Sequence, residues 1–466
     1  MTGTIAAEVD FAVIGAGLAG LATAVALQAG GASVTVFEAR DRVGGRVLSA
    51  PESAGGAAGP PLVLDLGAQW VGPGQTEVLR WIRELRLHLI PCDVPGRAIW
   101  DLDGHIRSGR AAFPPLPPRA LADLLAGGVR AGIMARRISP DAPWQARKAA
   151  VWDRVTVADW IGRYLRTPAG RAYAEILVRG NAAIEPRETS MLNLLFGLRS
   201  TGSVRNMVRA ESFRLREGTE ELARRLADRV RDQIRFANPV LAVVQDSEGV
   251  TVESADASVR CRRVAVCVPP PLARKLSYTP ELPPARAGLL AGMGMAASVK
   301  FHTVYRRPFW RDQGLSGQAM SATETVALTY DNSPADTSGR GVLVGLVVAD
   351  QARRLSGLDG ARREREILAS LGRLLGADAA APDAIVIQDW QHEQWTQGCY
   401  AAFFPPGGWT SYGAAFRAPS ERIHWAGTET TGEWNGYMEG ALRSGKRAAA
   451  EMLAADAAHG PRPGER

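Results

Sequence analysis

Residues 10–39 carry the arrangement that most constrains how this chain can fold. An apolar run of strand length, DFAVIG at 10–15, precedes a small-residue helical pattern, LAGLATAVALQAG at 18–30, and a second strand pattern, SVTVFEA at 33–39. A strand, a turn, a helix and a strand within about 30 residues indicate a βαβ unit with two parallel strands.

The turn of this unit is rich in glycine. It reads Gly15-Ala16-Gly17-Leu18-Ala19-Gly20, and the acidic Glu38 ends the second strand. In this context G-x-G-x-x-G predicts a dinucleotide site. The first glycine makes the tight turn, the second brings the backbone close to a pyrophosphate, and the third lets helix and strand pack closely. The helix N-terminus would hold the phosphates, and Glu38 would accept hydrogen bonds from the ribose.

Composition excludes several other classes of protein. The chain has 466 residues, 46% of them hydrophobic, which is enough for about three domains or two large ones. The net charge of +7 comes mainly from arginines spread along the chain, which argues against a nucleic-acid surface. The four cysteines form no C-x-x-C pair and the six histidines no metal-binding pair, so we expect neither a disulfide framework nor a metal site.

The N-terminus has no basic segment before its apolar run, and no long uninterrupted apolar stretch occurs. We therefore expect no signal peptide, no membrane anchor and a cytoplasmic protein.

Hydrophobic patterning divides the rest of the chain. Residues 75–200 are mostly helical in pattern, whereas 204–285 and 296–350 contain strand patterns such as VTVES and SVKFHTVYR. A helical segment at the C-terminal end contains Gly440-Ala-Leu-Arg-Ser-Gly445-Lys446, which has P-loop spacing. Arg447 replaces the Ser or Thr of that motif and no apolar strand precedes it, so we interpret the segment as one face of a helix.

Two further groups of motifs carry a family resemblance. The first comprises the stretch Glu38–Arg46, with the glycine pair Gly44-Gly45, and the motif Asp65–Gly72 (DLGAQWVG). The second comprises WTQGCYAAFFPPG at 395–407, HWAGTET at 424–430 and WNGYMEGA at 434–441. In order and spacing these motifs resemble the flavin-containing monoamine oxidases of the FAD-dependent amine oxidase superfamily, from about residue 9 to about 455.

The resemblance implies an α/β fold with a Rossmann-like FAD-binding domain and a discontinuous substrate domain of mixed sheet and helices. We expect the FAD-binding domain to comprise 1–84, 204–290 and 395–456. The substrate-binding domain would comprise 85–203 and 291–394, and 457–466 would form a flexible tail.

Three residues match the family's reaction centre. Tyr400 and Tyr437 match the two aromatic rings that flank the amine in front of the flavin, although buried tyrosines also serve as core packing. Lys300 matches the lysine that hydrogen-bonds a water near flavin N5, although a lysine of an edge strand could simply face solvent.

The resemblance also implies FAD as cofactor. Cys399 matches the position that forms a thioether to the flavin in covalent members, whereas many relatives have alanine there. Trp390 and Trp395 would lie against the isoalloxazine, although a tryptophan pair is also typical of a core. The fingerprint and the resemblance together place around FAD Gly15, Gly17, Leu18, Ala19, Gly20, Glu38, Ala39, Arg40, Gly44, Gly45, Arg46, Gly67, Ala68, Gln69, Trp70, Val240, Trp390, Trp395, Cys399, Gly427, Glu429, Gly436, Tyr437 and Met438.

The implied reaction is oxidation of an amine to an imine by FAD, with O2 reduced to H2O2 and hydrolysis to an aldehyde or ketone plus ammonia. Besides the tyrosines and Gln69, alignment to the family places Met207, Leu328 and Leu346 in the substrate pocket. All three are apolar, and none of them offers an acid to bind a second ammonium group. We therefore expect a small hydrophobic primary amine: alkyl, cycloalkyl or arylalkyl.

Several alternatives remain open at this point. One is an L-amino-acid oxidase, which would need an arginine inside the cavity, and another is a diamine or polyamine oxidase. A third is a flavin-binding scaffold without turnover. The expected partners are the amine and O2, in a monomer or homodimer without nucleic acid or a membrane anchor.

Overall fold

The computed structural model describes residues 5–52, 62–110, 114–335 and 339–458. Of the predicted tail at 457–466, residues 459–466 lie outside this described part.

The strands in the first half of the described chain are short apart from the first. They are β1 (Ile5–Ile14), β2 (Val34–Phe37), β3 (Ser49–Glu52), β4 (Leu62–Asp65), β5 (Trp70–Val71), β6 (Leu89–Pro91), β7 (Arg97–Asp101), β8 (Ile106–Arg110), β9 (Phe213–Leu215) and β10 (Ile234–Arg235). The later strands are β11 (Val240–Gln245), β12 (Val250–Ser254), β13 (Ser258–Val266), β14 (Ser277–Thr279), β15 (Gly294–Met295), β16 (Ser298–Tyr305), β17 (Leu315–Ser321), β18 (Leu328–Asp331), β19 (Gly341–Val348), β20 (Ala384–Asp389), β21 (Ala402–Phe403) and β22 (Ile423–Trp425).

The α-helices occur along the whole described chain. They are α1 (Leu18–Ala29), α2 (Thr76–Glu84), α3 (Pro118–Ala135), α4 (Ala149–Arg154), α5 (Val157–Tyr164), α6 (Pro168–Ala182), α7 (Met191–Ser200), α8 (Val204–Val208), α9 (Thr219–Ala227), α10 (Pro270–Ala273), α11 (Pro284–Gly292), α12 (Phe309–Asp312), α13 (Ala349–Ser356), α14 (Gly360–Leu375), α15 (Gly408–Tyr412) and α16 (Met438–Ala457). Among the described residues, no helix is long and apolar enough to cross a membrane.

The first large sheet contains the N-terminal βαβ unit. Its strand order is β10-β2-β1-β13-β12-β11-β14, with β22 also paired to β13. Strand β1 runs parallel to β2 and β13, and β22 runs parallel to β13. The carboxyl ends of these four strands therefore meet at one edge of the sheet, which is where ligands bind in folds of this kind.

The helix α16 packs closely against α1. A Cβ added at Gly445 would lie 2.2 Å from the Ala19 carbonyl oxygen, so the two helices need a glycine at this contact. The segment with P-loop spacing is thus part of a continuous helix, as the sequence predicts, with Leu442, Ser444 and Gly445 buried, and it forms no phosphate-binding loop.

The second large sheet is mixed, with the order β20-β16-β19-β18-β17-β7-β8. All its described pairs are antiparallel except β7 with β17. Lys300 on β16 pairs with Leu346 on β19, which pairs in turn with Leu328 on β18. These three side chains therefore share one face of the sheet. The two large sheets with their helices confirm the predicted α/β class.

Some local structure differs from the hydrophobic patterning. The region 75–200, mostly helical in pattern, also contains β6, β7 and β8, and the strand-rich region 204–285 also contains α8 and α9. In β7, four consecutive residues after Arg97 are buried. A run that is buried on both faces lacks the alternation by which a strand is recognised in sequence.

Candidate functional site

The strands of the first sheet end at a cavity with a volume of about 580 Å³. Its walls include the Gly15–Gly17 turn after β1, Glu38 after β2, Val268 after β13 and Gly427 after β22. The opposite wall comes from the second large sheet and from the helices α6 and α7. The cavity therefore lies at the carboxyl edge of the first sheet, where the fingerprint predicts a dinucleotide.

The glycine turn leaves room for a phosphate group. The helix α1 starts after Gly17, and no side chain caps its first turn. A Cβ on Gly17 would meet no atom closer than 3.9 Å, so the space beside this backbone is open to the cavity. Free amide groups at a helix N-terminus attract anions, and the turn therefore fits the pyrophosphate of FAD.

Glu38 holds the shape of this turn. Its Oε2 accepts a hydrogen bond of 2.7 Å from the Ala16 amide, and its Oε1 accepts one of 3.0 Å from the Arg40 amide. Its side chain still lines the cavity. The acid can thus brace the glycine turn and remain available to ribose hydroxyl groups.

Gly20, predicted as a cofactor contact, lies behind the turn and outside the cavity lining. A Cβ at this position would lie 1.8 Å from the Gly15 carbonyl oxygen. The residue acts through close packing of the helix on the turn, and that packing excludes any side chain.

Glu429 is also absent from the lining, and it pairs with Arg46. The Arg46 guanidinium donates to both carboxylate oxygens, with 2.9 Å between Nη2 and Oε2, and also donates to the Tyr400 carbonyl at 2.9 Å. Glu429 further accepts from the Ala402 amide at 3.1 Å. Burial would raise the pKa of Glu429, but Arg46 overcomes this effect and lowers it. The pair ties the glycine-rich segment to the Tyr400 loop.

Lys300 is 3% exposed and hydrogen-bonded on the cavity wall. Its Nζ donates to the Gly67 carbonyl at 2.9 Å and to Gln69 Oε1 at 2.8 Å, and it lies 5.0 Å from the centre of the Trp70 ring. Gln69 Nε2 donates to Asn332 Oδ1 at 2.7 Å. Burial lowers the pKa of Lys300 to about 8, against the opposing effects of nearby acids and Cys399. The lysine is thus held by hydrogen bonds and only about half protonated near pH 8.

Tyr400 and Tyr437 both line the cavity. Burial raises the pKa of both phenols, and the negative charge of Glu211 raises it further. Tyr437 precedes α16, and its ring meets that of Trp434 edge-on at 5.1 Å. Both tyrosines therefore stay neutral in the physiological range and present uncharged rings to the cavity.

Cys399 lies beside Tyr400 and lines the cavity. Burial raises the pKa of its thiol to about 11, although the positive charges of Arg46 and Lys300 act to lower it. The thiol is therefore neutral in the free protein.

Most of the other predicted cofactor residues line the same cavity. They are Leu18, Ala19, Ala39, Arg40, Gly44, Gly45, Gly67, Ala68, Trp70, Val240, Trp390, Trp395, Gly427, Gly436 and Met438.

The part of the cavity wall from the helices and the second sheet is largely apolar. Its apolar residues are Val178, Ile184, Leu194, Phe196, Leu198, Met207 and Leu346. Among the described lining residues the only arginines are Arg40 and Arg46, and both are paired with carboxylates, Arg40 with Glu393 and Arg46 with Glu429.

Leu328, which the sequence analysis expects in the substrate pocket, is not among the residues that line this cavity. Leu328 shares a sheet face with Leu346, but α6 covers it: a Cβ at Gly180 would lie 3.0 Å from Leu328 Cδ1. Gly180 itself lines the cavity. The helix thus separates Leu328 from the space where substrate would bind.

Glu211 is a cavity residue that the sequence analysis missed. It follows α8 in a turn, lines the cavity and lies near Tyr330. No sequence motif surrounds it. The one available signal is that Glu211 follows the predicted pocket residue Met207 by four positions, between a helix and a strand.

Comparisons with known proteins agree with the motifs. Residues 18–453 match the family model described as flavin containing amine oxidoreductase. An L-amino acid dehydrogenase from Synechocystis is 31% identical over 95% of this chain and 94% of its own length. Among solved structures, putrescine oxidase bound to putrescine is 32% identical, with a TM-score of 0.91 over 96% of this chain and 99% of its own.

Cyclohexylamine oxidase from Brevibacterium oxydans is 29% identical, with a TM-score of 0.89 over 96% of this chain and 99% of that structure. These three relatives are named for different substrates, so overall similarity does not select one. The match over nearly the whole length does decide the family, and with it FAD as the cofactor: this chain belongs to the flavin-containing amine oxidoreductases.

Proposed function

We propose that this protein oxidises small hydrophobic primary amines to imines with FAD and O2, releasing H2O2. The imine then hydrolyses to an aldehyde or ketone and ammonia. The observation that carries the proposal is the apolar chamber formed by α6, α7 and β19 beside Lys300, Tyr400 and Tyr437. When bound, FAD supplies the acceptor for the hydride equivalent that leaves the carbon next to nitrogen.

The residues around the chamber position the amine and exclude water. Neutral rings at Tyr400 and Tyr437 orient the nitrogen without fixing it as an ammonium ion. Apolar walls such as Phe196 and Leu346 disfavour the charged form of the substrate, because charge is costly to bury. Lys300, held by Gly67 and Gln69, can orient a water between itself and the reacting centre.

Two alternatives differ in the charge that the chamber must accept. An amino acid brings a carboxylate, and both described arginines of the lining are already paired on the side of the glycine-rich turn. A diamine brings a second ammonium. The apolar residue at 328 does not count against a diamine, because Glu211 lines the cavity. Diamine oxidation is therefore the second candidate function.

A steady-state screen separates the three substrate classes. Peroxide formation would be followed with cyclohexylamine, benzylamine, putrescine and L-leucine. We expect the two monoamines to give the highest kcat/KM. A higher kcat/KM for putrescine would replace this proposal with the diamine function, and turnover of L-leucine alone would replace it with amino-acid oxidation.

A further inference from the structure

We propose that Glu211 accepts the proton of the arriving ammonium ion, so that the substrate reaches the two tyrosines as a neutral amine. This inference rests on the proposed function and adds an acid–base residue to a site in which FAD carries the redox chemistry. Glu211 is the one carboxylate that the described cavity lining offers besides Glu38, which braces the glycine turn.

The position of Glu211 places it at the reacting end of the chamber. Glu211 lines the same cavity as Lys300, Tyr400 and Tyr437. Its neighbour Tyr330 meets the Trp70 ring edge-on at 5.3 Å. Trp70 lies in turn beneath the Lys300 ammonium. The carboxyl also acts electrostatically on Tyr400 and Tyr437. A substrate nitrogen between the two tyrosines would therefore be close to this carboxylate.

The charged and titratable groups around Glu211 come from several elements. Tyr330 is on β18, Lys300 on β16, and Tyr400 and Tyr437 belong to the C-terminal loops. Cys92 follows β6, and Arg214, on β9, donates to the Ser333 carbonyl. Glu211 is exposed to the cavity, and desolvation by the protein around it raises the pKa of its carboxyl, although Tyr330 and Lys300 act to lower it. A carboxylate with a raised pKa is a better proton acceptor than an ordinary one.

The proposed step is balanced as a proton transfer. R–NH₃⁺ and the Glu211 carboxylate become R–NH₂ and the Glu211 carboxylic acid, with no change in total charge. The nitrogen lone pair that is freed can then assist loss of the hydride equivalent from the neighbouring carbon. The proton returns to solvent after the product leaves. An alkylammonium has a pKa of about 10 in water, and the apolar chamber lowers that value toward the pKa of Glu211.

The test compares Glu211→Gln with the unmodified holoenzyme over a range of pH. The amide keeps the shape of the side chain but accepts no proton, so the variant must use the scarce free base of the amine. We expect kcat/KM for benzylamine to fall about 100-fold at neutral pH. The deficit should shrink about tenfold for each pH unit as the amine pKa is approached. Glu217→Gln, at an acid outside the lining that pairs with His88, is the matched control and should keep the unmodified profile.

A fluorinated alkylamine of low pKa is already neutral at neutral pH, so its oxidation should be nearly unaffected by Glu211→Gln. An equal loss for both amines at every pH would mean that Glu211 has only a structural role, and would overturn the proposal. A loss confined to putrescine would also overturn it, and would make Glu211 the anchor for a second ammonium.

A binding measurement tests the same step without turnover. An amine without hydrogen on its α-carbon, such as α,α-dimethylbenzylamine, cannot be oxidised. Its binding at about pH 8.5, where it remains protonated, would be followed calorimetrically in buffers of different ionisation enthalpy. The unmodified protein should release almost no proton to the buffer, whereas Glu211→Gln should release about one per amine. Equal proton release by both proteins would contradict the proposal.

These outcomes can be told apart from failure of the proposed function. If the unmodified holoenzyme oxidises no amine, the proposed function itself is wrong. If it oxidises monoamines and Glu211→Gln keeps the same pH profile, only the role of Glu211 is wrong.

Discussion

The Arg46 guanidinium binds both carboxylate oxygens of Glu429 in the interior, across 383 positions of sequence. Arg46 also holds the Tyr400 carbonyl, and Glu429 holds the Ala402 amide. One ion pair therefore fixes the glycine-rich segment of the cofactor site against the loop that carries a reaction-centre tyrosine.

Glu429→Gln should consequently damage cofactor binding and stability together. Removing one partner of a buried pair leaves an uncompensated charge and costs about 3–5 kcal/mol. We expect a lower ratio of flavin absorbance to protein absorbance and a clearly lower melting temperature. Glu366→Gln, which breaks an exposed pair with Arg354, should change stability by less than about 1 kcal/mol. Equal effects of the two substitutions would refute the role of the buried pair.

Gly20→Ala should disrupt the glycine turn although residue 20 does not line the cavity. The added Cβ would lie 1.8 Å from the Gly15 carbonyl oxygen, so the turn or the helix must shift. We expect weakened flavin retention, measured by ultrafiltration, and a loss of stability of a few kcal/mol. The control is Gly162→Ala in α5, where a Cβ meets nothing within 4 Å. It should stabilise the protein by up to about 1 kcal/mol. Full flavin retention by Gly20→Ala would count against the packing argument.

The βαβ unit and the motifs at both ends of the chain could be predicted because short patterns determine local backbone geometry there. Gly15 and Gly17 form a turn whose sequence requirements are narrow. The positions of Leu328 and Glu211 could not be predicted in this way. Leu328 lies on the correct sheet face but beneath α6, and Glu211 reaches the cavity from a turn without a motif. Both depend on how distant segments pack, which no local pattern reports.

The stability of the protein should depend on pH through Lys300. Burial lowers its pKa to about 8, compared with 10.5 for an ordinary lysine. Between these values the unfolded chain binds a proton that the folded chain has released, so the free energy of unfolding rises with pH across this window. As the pH rises from about 8 to 10.5, the free energy of unfolding of the unmodified chain should increase by up to about 3 kcal/mol relative to that of Lys300→Met.

Urea unfolding at a series of pH values measures this difference. Lys446→Met, at an exposed lysine on α16, provides the control and should track the unmodified chain. The unmodified chain should become more stable relative to Lys300→Met as the pH rises. If this difference in the free energy of unfolding stays constant or falls, Lys300 is not desolvated as described.

The position of Cys399 in the cavity wall predicts a covalent bond to FAD. The Cys399 sulfur lies in the wall next to Tyr400, at the family position that carries the thioether in covalent members. Precipitation of the holoprotein with acid should leave the flavin on the protein. Cys399→Ala should still bind FAD but release it into the supernatant. Release of flavin from the unmodified protein would establish non-covalent binding.

The most direct test of the central claim is anaerobic mixing of the purified holoenzyme with benzylamine or cyclohexylamine while the absorbance of oxidised flavin is recorded. The account predicts bleaching by either monoamine, followed by recovery of the absorbance and formation of H2O2 when O2 is admitted. An unchanged spectrum with every monoamine, in a protein shown to contain FAD, would contradict the assignment as a monoamine oxidase.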